Sequence, residues 1–345
     1  MNYKIKNNDR KYNHIIILSL FVLLIIIFIF SFCLGRFYIP IKELYNTIIN
    51  HFIHKEIVNQ TLDKIIFNIR LPRIIIAIMV GTSLSVAGCV YQGIFQNPMA
   101  SPDILGASNG AAFGAALAIL FHLSNTGITI LAFVMSFISV IIVYIIGDRS
   151  PGRRVVNLIL SGIMIGSIFT SLTSYIKLVL DPSNELPAIT YWLMGSLQAS
   201  SMNEVKFIII PIASSLLILF LIRYRLNLLS LGDEEAKSLG INVNLMRLVT
   251  ILLATLLSAA SVSVSGMIGF VGLVIPHLAR KIVGNNYIHL LPTSMILGGA
   301  FLLLIDNVSR NLMETEIPIG ILTSLIGAPF FLYLIFRKEG RECSM

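Results

Sequence analysis

The sequence predicts an all-α, polytopic membrane protein with about ten transmembrane helices and both termini in the cytoplasm. Three observations predict it. Apolar residues make up 56% of the 345 and the mean hydropathy is +0.87, well above the roughly 45–50% apolar usage of soluble domains. Runs such as HIIILSLFVLLIIIFIFSFCLG, residues 14–35, exceed the roughly 20 residues that cross a bilayer core. These runs are continuously apolar and do not alternate, so in a medium without water for the peptide groups they form helices, not a barrel.

Ten candidate spans follow, over 14–35, 72–92, 103–121, 127–147, 155–177, 206–222, 248–265, 268–283, 292–312 and 318–336, in one transmembrane domain covering 1–345. The first follows a basic start (Lys4, Lys6, Arg10, Lys11). Its apolar stretch is about twice a signal h-region and no small-x-small cleavage site follows, so it is read as a retained span. The second opens at Pro72. The third and eighth are short and rich in Gly and Pro. The fifth carries Ser167, Thr170, Ser171, Thr173 and Ser174, of which Ser167, Ser171 and Ser174 share one helical face. These hydroxyls either line a route or bond their own i−4 carbonyls and neighbouring helices.

Basic residues orient the chain. With the N-terminus inside, 16 of the 25 Lys and Arg fall on cytoplasmic segments, among them Arg149, Arg153 and Arg154, Arg223, Arg225, Lys237 and Arg247, and Arg337, Lys338 and Arg341. The net charge of +8 is thereby accounted for by orientation and headgroup contact, and no nucleic-acid partner is needed. The longest internal cytoplasmic segment is 223–247. Only 12% of all residues are charged, yet its middle reads LGDEEAKSLG, with acids in the first turn and a glycine stop, which predicts a short surface helix. Such a helix suits either a partner contact or a solvated connector.

Other features point away from enzyme or metal chemistry. Cys33, Cys89 and Cys343 lie far apart, giving neither a disulfide framework nor a metal site. GASNG, 106–110, fits G-x-S-x-G, but that motif works on a strand-turn-helix. Gly106, Gly110 and Gly114 at four-residue spacing favour close helix packing instead. His51 and His54 form H-x-x-H with no acidic third ligand evident beside them. No G-x-x-x-x-G-K-[ST] occurs, so the chain does not cradle nucleotide phosphates by that route.

The segments 70–111 (RLPRIIIAIMVGTSLSVAGCVYQGIFQNPMASPDILGASNGA), YWLMGSL (191–197), LGDEEAKSLG, GMIGFVGLVIPHLARKIVG (266–284) and EIPIGILTSLIGAPFFLYLI (316–335) resemble the permease subunits of iron-siderophore, haem and cobalamin importers. These are ten-helix permeases of binding-protein-dependent ABC transporters, and the similarity runs in consistent order from about 42 to 337. The resemblance implies a permease dimer, with a second copy or a sister permease. It further implies two separate ATPase subunits that use the ATP, an extracytoplasmic substrate-binding protein, and no cofactor or metal bound by this chain. Asp233, Glu234, Glu235, Ala236, Leu239 and Gly240 match the loop that seats in a cleft of the ATPase. Arg70, Arg73 and Arg310 match the basic residues that meet acids on the binding protein. By position, Arg70 and Arg73 flank Pro72 and are expected at the outer surface, where Asp306, i−4 to Arg310, could orient that guanidinium. Snorkelling arginines at a helix end are the plainer alternative. Family members line their route with the fifth and tenth helices, which makes Ser167, Thr170, Ser171 and Ser174 the candidate lining.

The expected function is thus inward transport of an iron complex, foremost a ferric siderophore, across a bacterial plasma (inner) membrane by alternating access, with haem or cobalamin as rival cargoes. A secondary transporter driven by an ion gradient is the alternative from another class, and it would place Asp306 or Lys177 near the midplane. One departure from the family is Asn285-Asn286-Tyr287, where relatives carry a more charged turn, while Pro276, His277 and Arg280 do match.

Overall fold

The computed structural model describes the backbone of residues 2–54, 59–150 and 154–342. It describes side chains over 12–51, 53, 59–150, 155–232 and 234–333. The basic residues Lys4, Lys6, Arg10, Lys11, Arg153, Arg154, Arg337, Lys338 and Arg341, the Asp233 and His54 side chains, and Cys343 lie outside those described.

The described chain is all-helical. Its helices are α1 (Asn2–Cys33), α2 (Ile41–Ile49), α3 (Gln60–Asp63), α4 (Leu71–Ile94), α5 (Ala107–Leu120), α6 (Asn125–Arg149), α7 (Arg154–Val179), α8 (Glu185–Leu193), α9 (Met202–Leu229), α10 (Asp233–Ser238), α11 (Val243–Ser265), α12 (Val271–Val283), α13 (Tyr287–Asn311) and α14 (Ile319–Glu342). Short π-helical turns, Asn50–His54 and Lys64–Arg70, extend α2 and lead into α4. Starts are set by side chains that take orphan N–H groups: Asn59 for α3, Ser124 for α6, Asn242 for α11, Asn286 for α13. A reciprocal Ser201–Glu204 box opens α9.

Seven helices among the described residues are long and apolar enough to cross a membrane: Tyr12–Cys33, Gln60–Ile94, Asn125–Arg149, Val155–Val179, Met202–Leu229, Val243–Ser265 and Tyr287–Asn311. Shorter apolar helices cover Ala107–Leu120 and Ile319–Tyr333. The protein is therefore a multi-pass α-helical membrane protein. A helix overlaps each of the ten apolar stretches, but those at the third and eighth are cut short. Their expected starts at 103 and 268 fall in a 3₁₀ turn (Pro102–Leu105) and in the Gly266–Phe270 turn, leaving helices of 14 and 13 residues. At 1.5 Å per residue those run about 20 Å, short of a core about 30 Å thick. The expected 223–247 loop also shrinks, because α9 continues to Leu229 and α11 begins at Val243.

The core is organised around α4, whose apolar window is 78% buried and which packs against α9, α11, α12 and α13. Two close approaches set its depth. A Cβ on Gly88 would overlap the Gly272 carbonyl, and one on Gly81 would overlap that of Gly298. Only glycine lets backbones meet so closely, which is how helices associate where lipid supplies no hydrophobic drive. Gly272 also lies against Pro102, so the 3₁₀ turn that precedes α5 and the first turn of α12 meet inside the bundle against α4. α4 and α13 run antiparallel: Arg73 meets Asp306 at one end, and Tyr287 meets Cys89 near the other. The exposed flank of α1, with Ile15, Leu18, Phe21, Ile25, Ile29 and Phe30 all more than 40% exposed, presents a lipid-facing surface.

Candidate functional site

At the end where α4 begins, a charge network joins α1, α4, α13 and the α13–α14 connection. Arg73 Nε donates to Asp306 Oδ1 at 2.8 Å, and its Nη1 reaches Glu316 at 2.9 Å. Arg310 Nε lies 3.0 Å from Asp306 Oδ2. One fully buried carboxylate thus sits between two guanidiniums. Arg70 donates to the carbonyls of Phe32 and Phe37, and Arg310 to that of Leu34 at 3.5 Å. Asn307 Nδ2 donates to Ser31 Oγ at 2.7 Å. The chain leaving α1 is therefore held by two guanidiniums that satisfy its carbonyls and by Asn307 at the Ser31 hydroxyl.

The expectation that these guanidiniums stand at the outer surface is corrected. Arg70, Arg73 and Arg310 are only 4–6% exposed. They turn inward because Asp306, Glu316 and the open carbonyls after α1 offer charge-assisted bonds in a dry setting, stronger than any exposed pairing. Asp306 does orient Arg310, as the i−4 spacing suggested. Glu316 and Asn307 were missed, since only the fold brings them to Arg73 and Ser31.

At the opposite end, α10 is a single short helix on a two-sided mount. Gly232 at φ +128° precedes it and Gly240 at φ +80° follows, and the Ala236 carbonyl accepts the Ile241 N–H. Ala236 is fully buried against α9 and α11. Its small side chain seats α10 on this chain's own body. Glu234, Glu235, Lys237, Ser238, Leu239 and Gly240 are exposed, Leu239 by 58%. A Cβ at Gly240 would meet open space.

The Asn285-Asn286-Tyr287 turn lies close by as a neutral clasp. Asn227 Nδ2 donates to Asn286 Oδ1 at 3.0 Å, while Asn227 Oδ1 accepts the Tyr287 N–H at 2.8 Å. The buried Tyr287 hydroxyl donates to the Cys89 carbonyl at 3.0 Å. Amides thus tie α9 to α13 without charge. Arg280, on the same end, donates to Gln92 Oε1. His277 rests against Phe330 and Phe331, between α12 and α14.

The α7 hydroxyls are brought together on one exposed face, yet each bonds its own helix. Ser167, Thr170, Ser171 and Ser174 donate to the carbonyls of Ile163, Gly166, Ser167 and Thr170 at 2.8–3.0 Å. Their acceptor lone pairs remain outward on an otherwise apolar surface with Ile168 and Leu172. The G-x-S-x-G hydroxyl of Ser108 donates to Asp103, while Gly110 and Gly114 lie against the Met135 and Leu131 carbonyls of α6. That is the packing role their spacing predicts. His51 does have an acidic neighbour, Asp63, 2.7 Å from its Nδ1, contrary to expectation, because the fold brings the end of α3 to the turn that follows α2. No cluster of three metal-binding side chains occurs among the described residues. A 510 Å³ cavity opens between α5, α6, α8 and the end of α11, lined by Tyr191, Trp192, Asn125 and Ser265 among others. α8 itself was not anticipated, because its nine residues read as part of a connector.

Comparison with known proteins gives one consistent picture. Residues 23–337 match the FecCD transport family. The molybdate import system permease protein MolB of Haemophilus influenzae is 39% identical over 324 residues, 94% of this chain and 96% of that protein. A protein of Helicobacter pylori named "Probable iron chelatin transport system permease protein" is 42% identical over 299 residues, 87% and 90% of the two chains. A solved structure described as an inward-facing metal-chelate type ABC transporter superposes with a TM-score of 0.84 at 38% identity, covering 93% of this chain and 99% of that one.

Proposed function

The chain belongs to the FecCD transport family, and from that premise we propose that it is the permease subunit of a binding-protein-dependent importer that carries an iron chelate inward. The observation that carries this reading is the family match across 23–337, nearly the whole bundle. In this reading ten helices traverse or enter the bilayer of a bacterial plasma membrane, with both termini in the cytoplasm. Two permeases pair, as a homodimer or with a sister chain. Two separate ATPase subunits use the ATP, and an extracytoplasmic binding protein delivers the cargo. The chain itself binds no cofactor.

Each end then has a task. α10, with the exposed Glu234, Glu235, Leu239 and Gly240, is the handle the ATPase grips. Its mounting on α9 and α11 through Ala236 lets a push on α10 reach both long helices. Asp233 is assigned to the same handle by sequence alone. Docking of the binding protein belongs to the end that holds Arg70, Arg73 and Arg310. There the buried network fixes the shape of the face and leaves it one positive charge in excess: three guanidiniums against Asp306 and Glu316. The exposed face of α7 lines the route beside the partner permease. Because its hydroxyls already serve their own helix, Ser167, Thr170, Ser171 and Ser174 give a wall of low affinity, suited to a bulky cargo that must not stick.

An ion-gradient transporter would need an ionisable group free to load and release. Asp306, the main candidate, is held between two arginines. A second cargo reading, an oxyanion such as molybdate, is favoured by the 39% identity to MolB over almost its full length. Uptake of radiolabelled iron as a panel of ferric siderophores and haem, beside labelled cobalamin and molybdate, decides the cargo in a strain lacking this chain and in the same strain carrying it. Loss confined to one ferric chelate supports the iron reading; loss confined to molybdate replaces it.

A further inference from the structure

α2 has an apolar stripe that the fold leaves uncovered. Ile41, Leu44, Tyr45, Ile48 and Ile49 recur at helical spacing, with Lys42, Glu43, Asn46 and Thr47 on the other side. Of the stripe, Leu44 is buried, whereas Ile41 is 56%, Tyr45 64% and Ile48 37% exposed.

The helix is held in this attitude from both ends. Before it, Ile39 is fully buried and its N–H donates to the Cys33 carbonyl at 3.2 Å, which ties the start of α2 to the end of α1. After it, His51 stacks on Phe67 with ring centres 4.0 Å apart and lies 2.7 Å from Asp63 Oδ1. A helix pinned by Ile39, Leu44 and His51 cannot roll its apolar stripe inward.

The uncovered stripe continues the lipid-facing flank of a spanning helix. The exposed side of α1 runs through Ile29 and Phe30 to Leu34, Phe37 and Tyr38, all 40–65% exposed, and then to Ile41. Tyr38 and Tyr45 are the side-chain type that favours the boundary between acyl chains and headgroups, and the exposed Arg36 and Lys42 flank them where phosphates lie. Apolar residues on one side, basic and polar residues on the other, and attachment to the end of a span are together the chemistry of an interfacial helix.

We propose that α2 lies in the membrane interface, with Ile41, Tyr45 and Ile48 seated among the headgroups and upper acyl chains of phospholipids. The leaflet, extracytoplasmic, rests on the orientation given above; the lipid contact does not. In this position α2 anchors the end of the molecule that carries the arginine network, because both are fastened to the same turn after α1 through Ile39 and Arg70.

The chain has a single tryptophan, Trp192, so a reporter is available. In a Trp192→Phe background, Tyr45→Trp is placed in nanodiscs of phosphatidylcholine and phosphatidylglycerol carrying bromine at shallow or deep acyl positions. Ile48→Trp serves as a second reporter on the same face if the first variant folds poorly, and Glu43→Trp as the control on the polar face. The expected result is about a two-fold loss of emission for Tyr45→Trp with shallow bromines, less with deep ones, and little for Glu43→Trp, in keeping with burial of about 5–10 Å. Free access of acrylamide to Tyr45→Trp with no lipid quenching overturns the proposal. So does a reporter shielded from both acrylamide and lipid quenchers, since that marks a protein neighbour, either a second copy or a docked partner.

Discussion

The carboxylate of Asp306 accepts from Arg73 Nε at 2.8 Å across 233 positions of sequence, while its other oxygen lies 3.0 Å from Arg310 Nε one turn further along α13. A single fully buried acid thus joins the first turn of α4 to the last turns of α13. Removing one partner of such a network leaves an uncompensated buried charge, which costs about 3–5 kcal/mol. Asp306→Asn is therefore expected to lower the apparent melting temperature and the amount of chain in the membrane, with transport falling in step. Transport normalised to folded chain checks this. A normal quantity of folded Asp306→Asn protein that fails to transport would instead assign the acid a role in the transport cycle.

Gly88 faces the Gly272 carbonyl so closely that a methyl group cannot fit. Gly88→Ala forces α12 away from α4 and is expected to cost about 2 kcal/mol. Gly240→Ala meets open space and costs about 1 kcal/mol, from its φ of +80° alone. Thermal unfolding of both purified variants tests this ranking; equal loss would mean that the Gly88 contact relaxes freely.

Leu239 is 58% exposed at the C-terminal end of α10, three residues after the buried Ala236. If the ATPase grips this helix, Leu239→Glu breaks an apolar contact at the protein–protein boundary and weakens co-purification by about ten-fold, the scale of a single interface anchor. Thermal stability should remain within about 0.5 kcal/mol, as for other surface changes. Unaltered co-purification with its ATPase would remove α10 from the interface. Ala236→Leu should act differently, by unseating α10 and lowering stability.

Replacing Ser167, Ser171 and Ser174 together with alanine removes only hydroxyls that bond their own i−4 carbonyls. Stability should change by less than about 0.5 kcal/mol for each site, and uptake should stay within about two-fold of the parent chain. Ser171→Trp adds bulk to the same exposed face and should stop uptake while leaving the folded chain intact. If the alanine triple variant loses transport, the hydroxyls bind cargo directly.

Much of the architecture is decided within single segments. Continuous apolar runs become helices because lipid offers the backbone no other partner, and Asp233–Ser238 forms a short helix because its acids, its alanine and the glycine that follows are neighbours in sequence. The Gly106, Gly110, Gly114 stripe is legible for the same reason. Tertiary structure decides the rest. The sequence cannot tell that the turn before α5 and the start of α12 meet inside the bundle, since that depends on Pro102, Gly272 and Gly88 coming together across nearly 200 positions. Nor does it tell that Ala236 turns inward, that Asp63 reaches His51, or that Arg70, Arg73 and Arg310 are buried. A charged side chain near a helix end reads as exposed until the fold brings Asp306, Glu316 and the open carbonyls after α1 within bonding distance. Periodicity is a property of neighbours, whereas the satisfaction of a buried charge belongs to residues the fold alone makes adjacent.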